Sequence, residues 1–223
     1  MRKWKATIAV MTSLLWTTLV AAAPTIYGPT GLITMPTAEA VQYKEFSFGL
    51  DYLSISGPPK DESWFYKMNV GTYKNWELGI VGGKVPTEGV FVNVKYYLTT
   101  EAERFPIALA VGFQNLFSKE RTDLYMVASK RFPSAWSGHL GFKANFGRSK
   151  VQPSVMGGLE YALSEHVSTL GDITSDGDQY SVNAGLRIVL IQNTLLNLAV
   201  TNIGQSTGPG TAMVVGFSYS TFL

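Results

Sequence analysis

The chain of 223 residues contains no cysteine. This absence excludes disulfide bonds, thiol catalysis and cysteine-ligated metal sites. Charge is also scarce, because Asp, Glu, Lys and Arg make up 15% of the residues, against about 25% in ordinary soluble domains. The sequence therefore offers little charged surface for contact with water, while its 22 glycines and 13% aromatic residues are both high.

The first 22 residues have the pattern of a secretory signal peptide. Arg2, Lys3 and Lys5 precede a mainly apolar run, and Val20 and Ala22 provide the small residues of a cleavage site before Ala23. An uncleaved anchor is the alternative, but the run is interrupted by Thr and Ser and is shorter than the about 20 apolar residues of a membrane helix. We predict an exported protein.

Removal of this leader changes the charge of the chain. The leader holds three of the 18 basic residues and none of the 16 acidic ones, which leaves a net charge of about −1. A nucleic-acid-binding protein is expected to retain a basic stripe, and none is evident. We therefore predict no nucleic-acid partner.

Beyond the leader, apolar residues alternate with small or polar residues at a period of two. FSFGLDY at residues 46–52 is typical, VSTLGDIT at 167–174 is the weakest example, and no segment competes at a helical period. We count about twelve strands of roughly eight to twelve residues. The expected fold is all-β, an antiparallel transmembrane β-barrel over residues 44–223 that follows a Gly/Pro-rich segment at 23–43.

The face opposite the apolar one decides between a soluble and a membrane barrel. That face carries mainly Gly, Ala, Ser and Asn with isolated charges, which is thin cover for a surface in water. Aromatic residues lie near the strand ends, where membrane proteins place them. The chain ends in GFSYSTFL, which resembles the closing strand recognised by the outer-membrane barrel assembly machinery. We predict the outer membrane of a Gram-negative cell, with the lipid bilayer and that machinery as partners; a soluble periplasmic β-barrel binding protein is the alternative.

The predicted connections are all short. With an even strand count both termini face the periplasm, so the outward loops are 54–63, 83–88, 116–122, 147–154, 174–179 and 203–210, and the periplasmic turns are 73–75, 99–104, 132–137, 164–166 and 191–194. Recognition and catalytic sites tend to lie on long loops. The loops therefore offer no obvious place for such a site.

The parity of the strands predicts a charged lumen. Eight charged residues are expected to point inward: Asp51, Lys67, Glu77, Lys95, Lys143, Glu160, Asp172 and Arg187. Charges in a confined space are costly unless they are paired. These residues are either a salt-bridged filling that braces a closed barrel or the lining of a selective pore.

No catalytic, cofactor or metal site is predicted. The two histidines, His139 and His166, have no evident neighbouring nucleophile with an orienting carboxylate, and no metal-ligand spacing occurs. The glycine pairs are not followed by a helix, which excludes phosphate loops. We expect a protein that is not an enzyme and has no cofactor.

The segment 28–38, GPTGLITMPTA, combines residues that allow tight backbone placement. Gly28 and Gly31 allow positive φ and close approach, and prolines including Pro36 hold the chain extended. We expect the segment in or across the periplasmic mouth, with Leu32, Ile33 and Met35 packed on inward residues. A first strand or an ordered tail is the alternative.

Three stretches together resemble a known family. GPTGLITMPTAEAV, GGLEYALSEHVSTLGDI and YSVNAGLRIVLIQNTLLNLAVTNIG are similar to the YjbH-like outer-membrane barrel proteins, which are associated with exopolysaccharide production. The resemblance implies a barrel with an accessory role in the envelope or in exopolysaccharide export, and polysaccharide-export components as partners. A small-solute outer-membrane channel is the alternative function.

A closed membrane barrel is expected to show heat-modifiable migration. Unboiled protein in detergent should run at a different position from boiled protein on a gel, because the barrel stays folded until it is heated. Identical mobility of the two samples would contradict a closed barrel.

Overall fold

The computed structural model describes residues 23–39, 41–56, 61–73, 75–83, 89–102, 105–119, 121–148, 150–176, 179–205 and 210–223. The predicted signal peptide lies outside these residues, as do parts of all six predicted outward loops. The strands are β1 (Glu45–Ile55), β2 (Asp61–Thr72), β3 (Trp76–Gly83), β4 (Gly89–Thr99), β5 (Ala108–Leu116), β6 (Arg121–Arg131), β7 (Trp136–Gly147), β8 (Val151–Ala162), β9 (Val167–Asp176), β10 (Gln179–Ile191), β11 (Thr194–Thr201) and β12 (Ala212–Phe222).

The twelve strands form one closed antiparallel barrel. Each strand pairs with its neighbours in sequence, and β1 closes on β12 from Glu45↔Phe222 to Ile55↔Ala212. The prediction of an all-β barrel of about twelve strands is therefore confirmed, including the weak strand, which is β9. Within the described ranges, no helix is both long and apolar enough to span a bilayer.

Several predicted connections differ in length from the observed ones; the predicted loop 54–63, for example, is too long, because β1 extends to Ile55 and β2 begins at Asp61. The predicted loop 147–154 is too long, because β8 begins at Val151 and Pro153 pairs with Ala144. Proline has no N–H to donate to a sheet, which is why the sequence pattern indicates a break there. The predicted turn 99–104 is too short, because β5 begins only at Ala108, after a bridge between Ala102 and Phe105.

The outer face of the barrel is an apolar belt. Leu140, Val155 and Met213 are each at least 60% exposed. Aromatic pairs in close contact lie near both ends of the strands, with ring centroids 4.8 Å apart for Tyr52 and Trp64 and 4.4 Å apart for Trp136 and Tyr161. An apolar band between aromatic girdles is the surface that lipid requires, and it is unsuited to a soluble barrel.

The inner face is polar and encloses the N-terminal part of the chain. We call residues 23–39 the N-terminal segment, and the barrel end that carries Glu45 and Phe222 the proximal mouth; the opposite end is the distal mouth. The chain leaves the lumen at the proximal mouth, where Lys44 N–H donates to the Gly71 carbonyl before β1 begins. The segment and the wall around it form the candidate site.

Substitution of Val155 by Arg should destabilise the barrel by about 2 to 4 kcal/mol, the cost of a cation on the lipid face near the bilayer midplane. Val155 is 61% exposed and lies near the middle of β8. The free energy of unfolding in lipid vesicles measures the effect, with Val155→Leu as the matched control. Equal stability of the two variants would mean that this face does not contact lipid.

Candidate functional site: the filled lumen

The N-terminal segment folds on itself inside the lumen. Thr25 N–H donates to the Pro29 carbonyl at 2.8 Å, and Ile26 N–H donates to the Ile33 carbonyl at 2.9 Å. A second turn follows, in which Leu32 N–H donates to the Met35 carbonyl at 3.0 Å. These bonds make the segment a compact double turn, which differs from both the first-strand and the tail alternatives.

The two glycines of the segment fit for different reasons. Gly28 has φ +110°, a conformation that L side chains rarely adopt, and its carbonyl accepts a hydrogen bond from Asn69 at 2.7 Å. Gly31 has no positive φ, contrary to the expectation. A side chain on Gly31 would collide with the Met35 carbonyl and with Cα of Pro36, so this glycine is required for close approach alone.

Apolar residues of the segment pack on both halves of the wall. Toward the distal mouth, Ile26, Leu32 and Ile33 form a buried cluster whose wall members are Leu53, Phe65, Leu170, Ala212 and Val214. Toward the proximal mouth, Met35 and Ala38 form a second cluster whose wall members are Tyr97, Ala110, Tyr125, Val127 and Met156. The segment therefore runs through the lumen, well beyond the mouth where the sequence pattern placed it.

The carboxylate of Asp172 on β9 binds one turn of the segment. Its Oδ2 accepts the main-chain N–H groups of Ile33, Thr34 and Met35 at 2.9, 2.8 and 3.2 Å. The Thr34 hydroxyl donates to Asp172 Oδ1 at 2.8 Å. The Asn183 amide donates both to Asp172 Oδ1 and to Thr34 Oγ1. Consecutive N–H groups that converge on one anion form a nest, and here the anion belongs to the wall.

A second group of contacts surrounds Thr30. Glu77 on β3 accepts both the Thr30 N–H, at 2.9 Å, and the Thr30 hydroxyl, at 2.5 Å. Lys95 on β4 lies 3.4 Å from the Glu77 carboxylate and donates to the carbonyls of Thr30 and Thr37 at 2.8 and 3.2 Å. Tyr97 completes the group by donating to Glu77 at 2.8 Å.

Four further wall residues hold carbonyl groups of the segment. Arg187 on β10 donates to the carbonyls of Gly31 and Leu32 at 2.9 and 3.3 Å. On β2, Lys67 and Asn69 donate to the carbonyls of Pro24 and Gly28 at 3.4 and 2.7 Å. On β4, Asn93 donates to the Tyr27 carbonyl at 3.1 Å. Lys67 also pairs with Asp51 at 2.5 Å.

The remaining two predicted lumen charges are Lys143 on β7 and Glu160 on β8. Lys143 lies 3.8 Å from Asp123, a buried acid on β6 that the sequence analysis missed although it shares the parity of Tyr125. Glu160 is 5% exposed, and its Oε1 has no hydrogen-bond partner among the described residues. All eight predicted residues are buried on the inner face, and five of them, Lys67, Glu77, Lys95, Asp172 and Arg187, bind the segment directly.

One histidine has a hydroxyl neighbour that the sequence analysis did not foresee. His139 Nδ1 lies 2.8 Å from Ser129 Oγ, and that oxygen accepts the N–H of Ala38 at 2.9 Å. Both side chains are buried beneath the segment. Their arrangement ties the segment to β6, whereas His166 is exposed in a turn.

One small cavity separates the segment from the wall. The cavity between it and the wall near Lys67, Leu170 and Val214 is about 20 Å³, enough for about one water molecule. At the proximal mouth Arg131 donates to the Glu39 carboxylate at 2.8 Å in an exposed ion pair. The N-terminal segment thus occupies the lumen from the proximal mouth toward the distal mouth.

Comparison with solved structures finds this barrel in outer-membrane channels. The KdgM porin gives a TM-score of 0.63 at 16% identity, over 79% of this chain and 99% of the porin. The NanC porin gives 0.57 at 11% identity over 80% and 99%, and an outer membrane channel of Pseudomonas putida F1 gives 0.54 at 11% identity over 82% and 98%. The fold is therefore similar to that of these two porins and this channel.

The resemblance to YjbH-like exopolysaccharide proteins is wrong. No family model and no curated protein matches the chain, and the similar solved structures are porins and a channel. The quoted stretches contain the N-terminal segment in the lumen and the alternating strands β8 to β11. These stretches indicate the fold and do not support the polysaccharide role or the polysaccharide-export partners that were inferred from the resemblance.

Substitution of Asp172 by Asn should weaken the folded state, because an amide cannot accept the converging N–H groups as strongly as a carboxylate. The loss should be at least about 1.5 to 3 kcal/mol, the net worth of one hydrogen bond to a charged group. Urea unfolding in detergent, followed by tryptophan fluorescence, measures it. Glu165→Gln, in the exposed turn before β9, is the control, and an unchanged midpoint for Asp172→Asn would contradict the role assigned to this carboxylate.

Proposed function

We propose that the protein is an outer-membrane channel for small solutes whose lumen is closed by its own N-terminal segment. The observation that carries this proposal is the nature of the filling. The wall presents charged and amide side chains, and the lumen is filled by a chain segment that continues into β1 at the proximal mouth.

The strand number supports this function. A barrel of about eight strands has an interior that side chains alone can fill, and the diameter grows with the number of strands. A twelve-stranded barrel therefore has central space that its wall does not fill, and here the N-terminal segment takes that space. Without the segment, the same wall would line a polar passage.

The membrane location belongs to the same proposal. The apolar belt and aromatic girdles suit a bilayer, and the similar structures include two porins and an outer membrane channel. We assign the proximal mouth to the periplasm, since both ends of the barrel domain lie there. Assembly by the outer-membrane barrel machinery, through the strand that ends in Phe222, is part of this proposal.

Deletion of residues 23–39 should raise the conductance of the barrel in planar lipid bilayers from a closed or nearly closed level to stable open channels. The reason is that the deletion removes the filling and leaves the polar wall. Single-channel recording of the two proteins at equal ionic strength measures the effect. A folded deletion variant that conducts no better than the full chain would mean that side chains close the lumen, and the protein would then be a structural barrel.

A disulfide cross-link between the N-terminal segment and the wall provides a matched test in the full chain. The Ala38 N–H donates to Ser129 Oγ at 2.9 Å, so the two residues are close enough for a cross-link. Because the chain has no cysteine of its own, the double substitution Ala38→Cys and Ser129→Cys is expected to form one disulfide between segment and wall. In urea too dilute to unfold the barrel, the reduced protein should show openings that the oxidised protein lacks. Equal conductance of the two redox forms would contradict closure by the segment.

A further inference from the structure

The wall residues that hold the N-terminal segment contact its main chain more than its side chains. Asp172 accepts three consecutive N–H groups, Arg187 donates to two consecutive carbonyls, and Lys95 donates to the carbonyls of Thr30, Thr37 and Glu39. Main-chain groups are common to every peptide. The wall therefore recognises a peptide backbone in a given conformation.

The donors are spaced to follow a chain. Lys67 and Asn69 are successive inward residues of β2, and Asn93 and Lys95 are successive inward residues of β4, so each pair lies about 7 Å apart. Together they bind the carbonyls of Pro24, Tyr27, Gly28 and Thr30. On the other side of the segment, Asp172 binds N–H groups. Each wall combines donors and acceptors, since Glu77, next to Lys95, accepts the Thr30 N–H, and Arg187, one strand from Asp172, donates to the carbonyls of Gly31 and Leu32.

Two hydroxyl side chains of the segment, those of Thr30 and Thr34, make polar contacts of their own to the wall. The Thr30 hydroxyl donates to Glu77 and accepts from Lys95, and the Thr34 hydroxyl donates to Asp172 and accepts from Asn183. Each hydroxyl is held by one donor and one acceptor. A ligand for this wall therefore needs a hydroxyl residue at two positions four residues apart, with small or apolar residues between them.

We propose that the lumen wall is a peptide-binding site, and that a short peptide supplied in trans occupies it when the N-terminal segment is out of the lumen. The ligand class is a turn-forming peptide with two hydroxyl residues, of which the segment is the tethered example. The proposal deepens the proposed function and rests on it in one respect, namely that the segment is able to leave the lumen.

The test uses the barrel that lacks residues 23–39 and a synthetic peptide of residues 23–39 with a dye at its Glu39 end, which lies at the proximal mouth. Fluorescence anisotropy in detergent should show saturable binding. A peptide with Thr30→Val and Thr34→Val should bind at least about tenfold more weakly, because the isosteric methyl groups leave Glu77 and Asp172 short of donors. The matched peptide with Thr30→Ser and Thr34→Ser should bind within about threefold of the original.

A second preparation covers the case in which the deletion variant does not fold. A protease site inserted after Gln42, which is exposed, allows the segment to be cut from an already folded barrel, washed out in dilute urea and replaced by the labelled peptide. The proposal is overturned if a folded, emptied barrel binds no peptide, if it binds the double-Val peptide equally well, or if the cut segment cannot be exchanged while the barrel stays folded.

Conductance separates this inference from the channel proposal. If the emptied barrel conducts and the peptide does not bind or block it, the peptide site is wrong and the channel stands. If the peptide binds and the emptied barrel does not conduct, the channel is wrong and the site stands. A barrel with Glu77→Gln and Asp172→Asn should lose peptide affinity by about tenfold or more, and retention of full affinity would contradict the assignment of these two carboxylates.

Discussion

Charged groups inside a membrane-spanning barrel have to be hydrogen-bonded, and here much of that bonding comes from a main chain. Removing an ion from water costs several kcal/mol even after the protein relaxes. For Asp172 this cost is offset by hydrogen bonds from three N–H groups and one hydroxyl of the segment. For Arg187 it is offset by hydrogen bonds to two carbonyls of the segment. The dependence is mutual, since a buried main chain also needs partners for its own N–H and C=O groups.

This mutual dependence distinguishes the lumen from an ordinary core. An apolar filling would be held by the hydrophobic effect, which is non-directional and would leave no polar wall once removed. A filling held by directed bonds can be exchanged for water or for another chain that offers the same groups in the same places. Apolar contacts of Leu32 and Met35 add affinity, while the charged wall residues determine which chain conformation fits.

The strands and their faces could be predicted from the sequence because a period of two fixes both. Parity alone places Lys67 and Lys95 on the inner face, and the twelve-stranded fold is confirmed. The partners could not be predicted, because Asp172 binds residues 138 positions away in the chain and nothing local encodes that contact. Pro153 lies in β8 although the sequence predicts a loop there, because a residue without an N–H to donate indicates a break in a strand. The small glycine and proline motif was informative about packing, and it misled when it was taken as evidence of ancestry.

The position of the contacts also determines what limits opening of the lumen. The segment joins β1 at the proximal mouth, so it can leave only in that direction while it stays attached. The ion pair at this mouth, Glu39 with Arg131, is solvent-exposed on the arginine side and is of the kind that contributes about 0 to 1 kcal/mol. The bonds to Glu77 and Asp172 are buried, and hydrogen bonds to charged groups are worth about 1.5 to 3 kcal/mol each. Opening therefore depends on replacing hydrogen bonds inside the barrel, and an event that only breaks the exposed ion pair leaves the lumen closed.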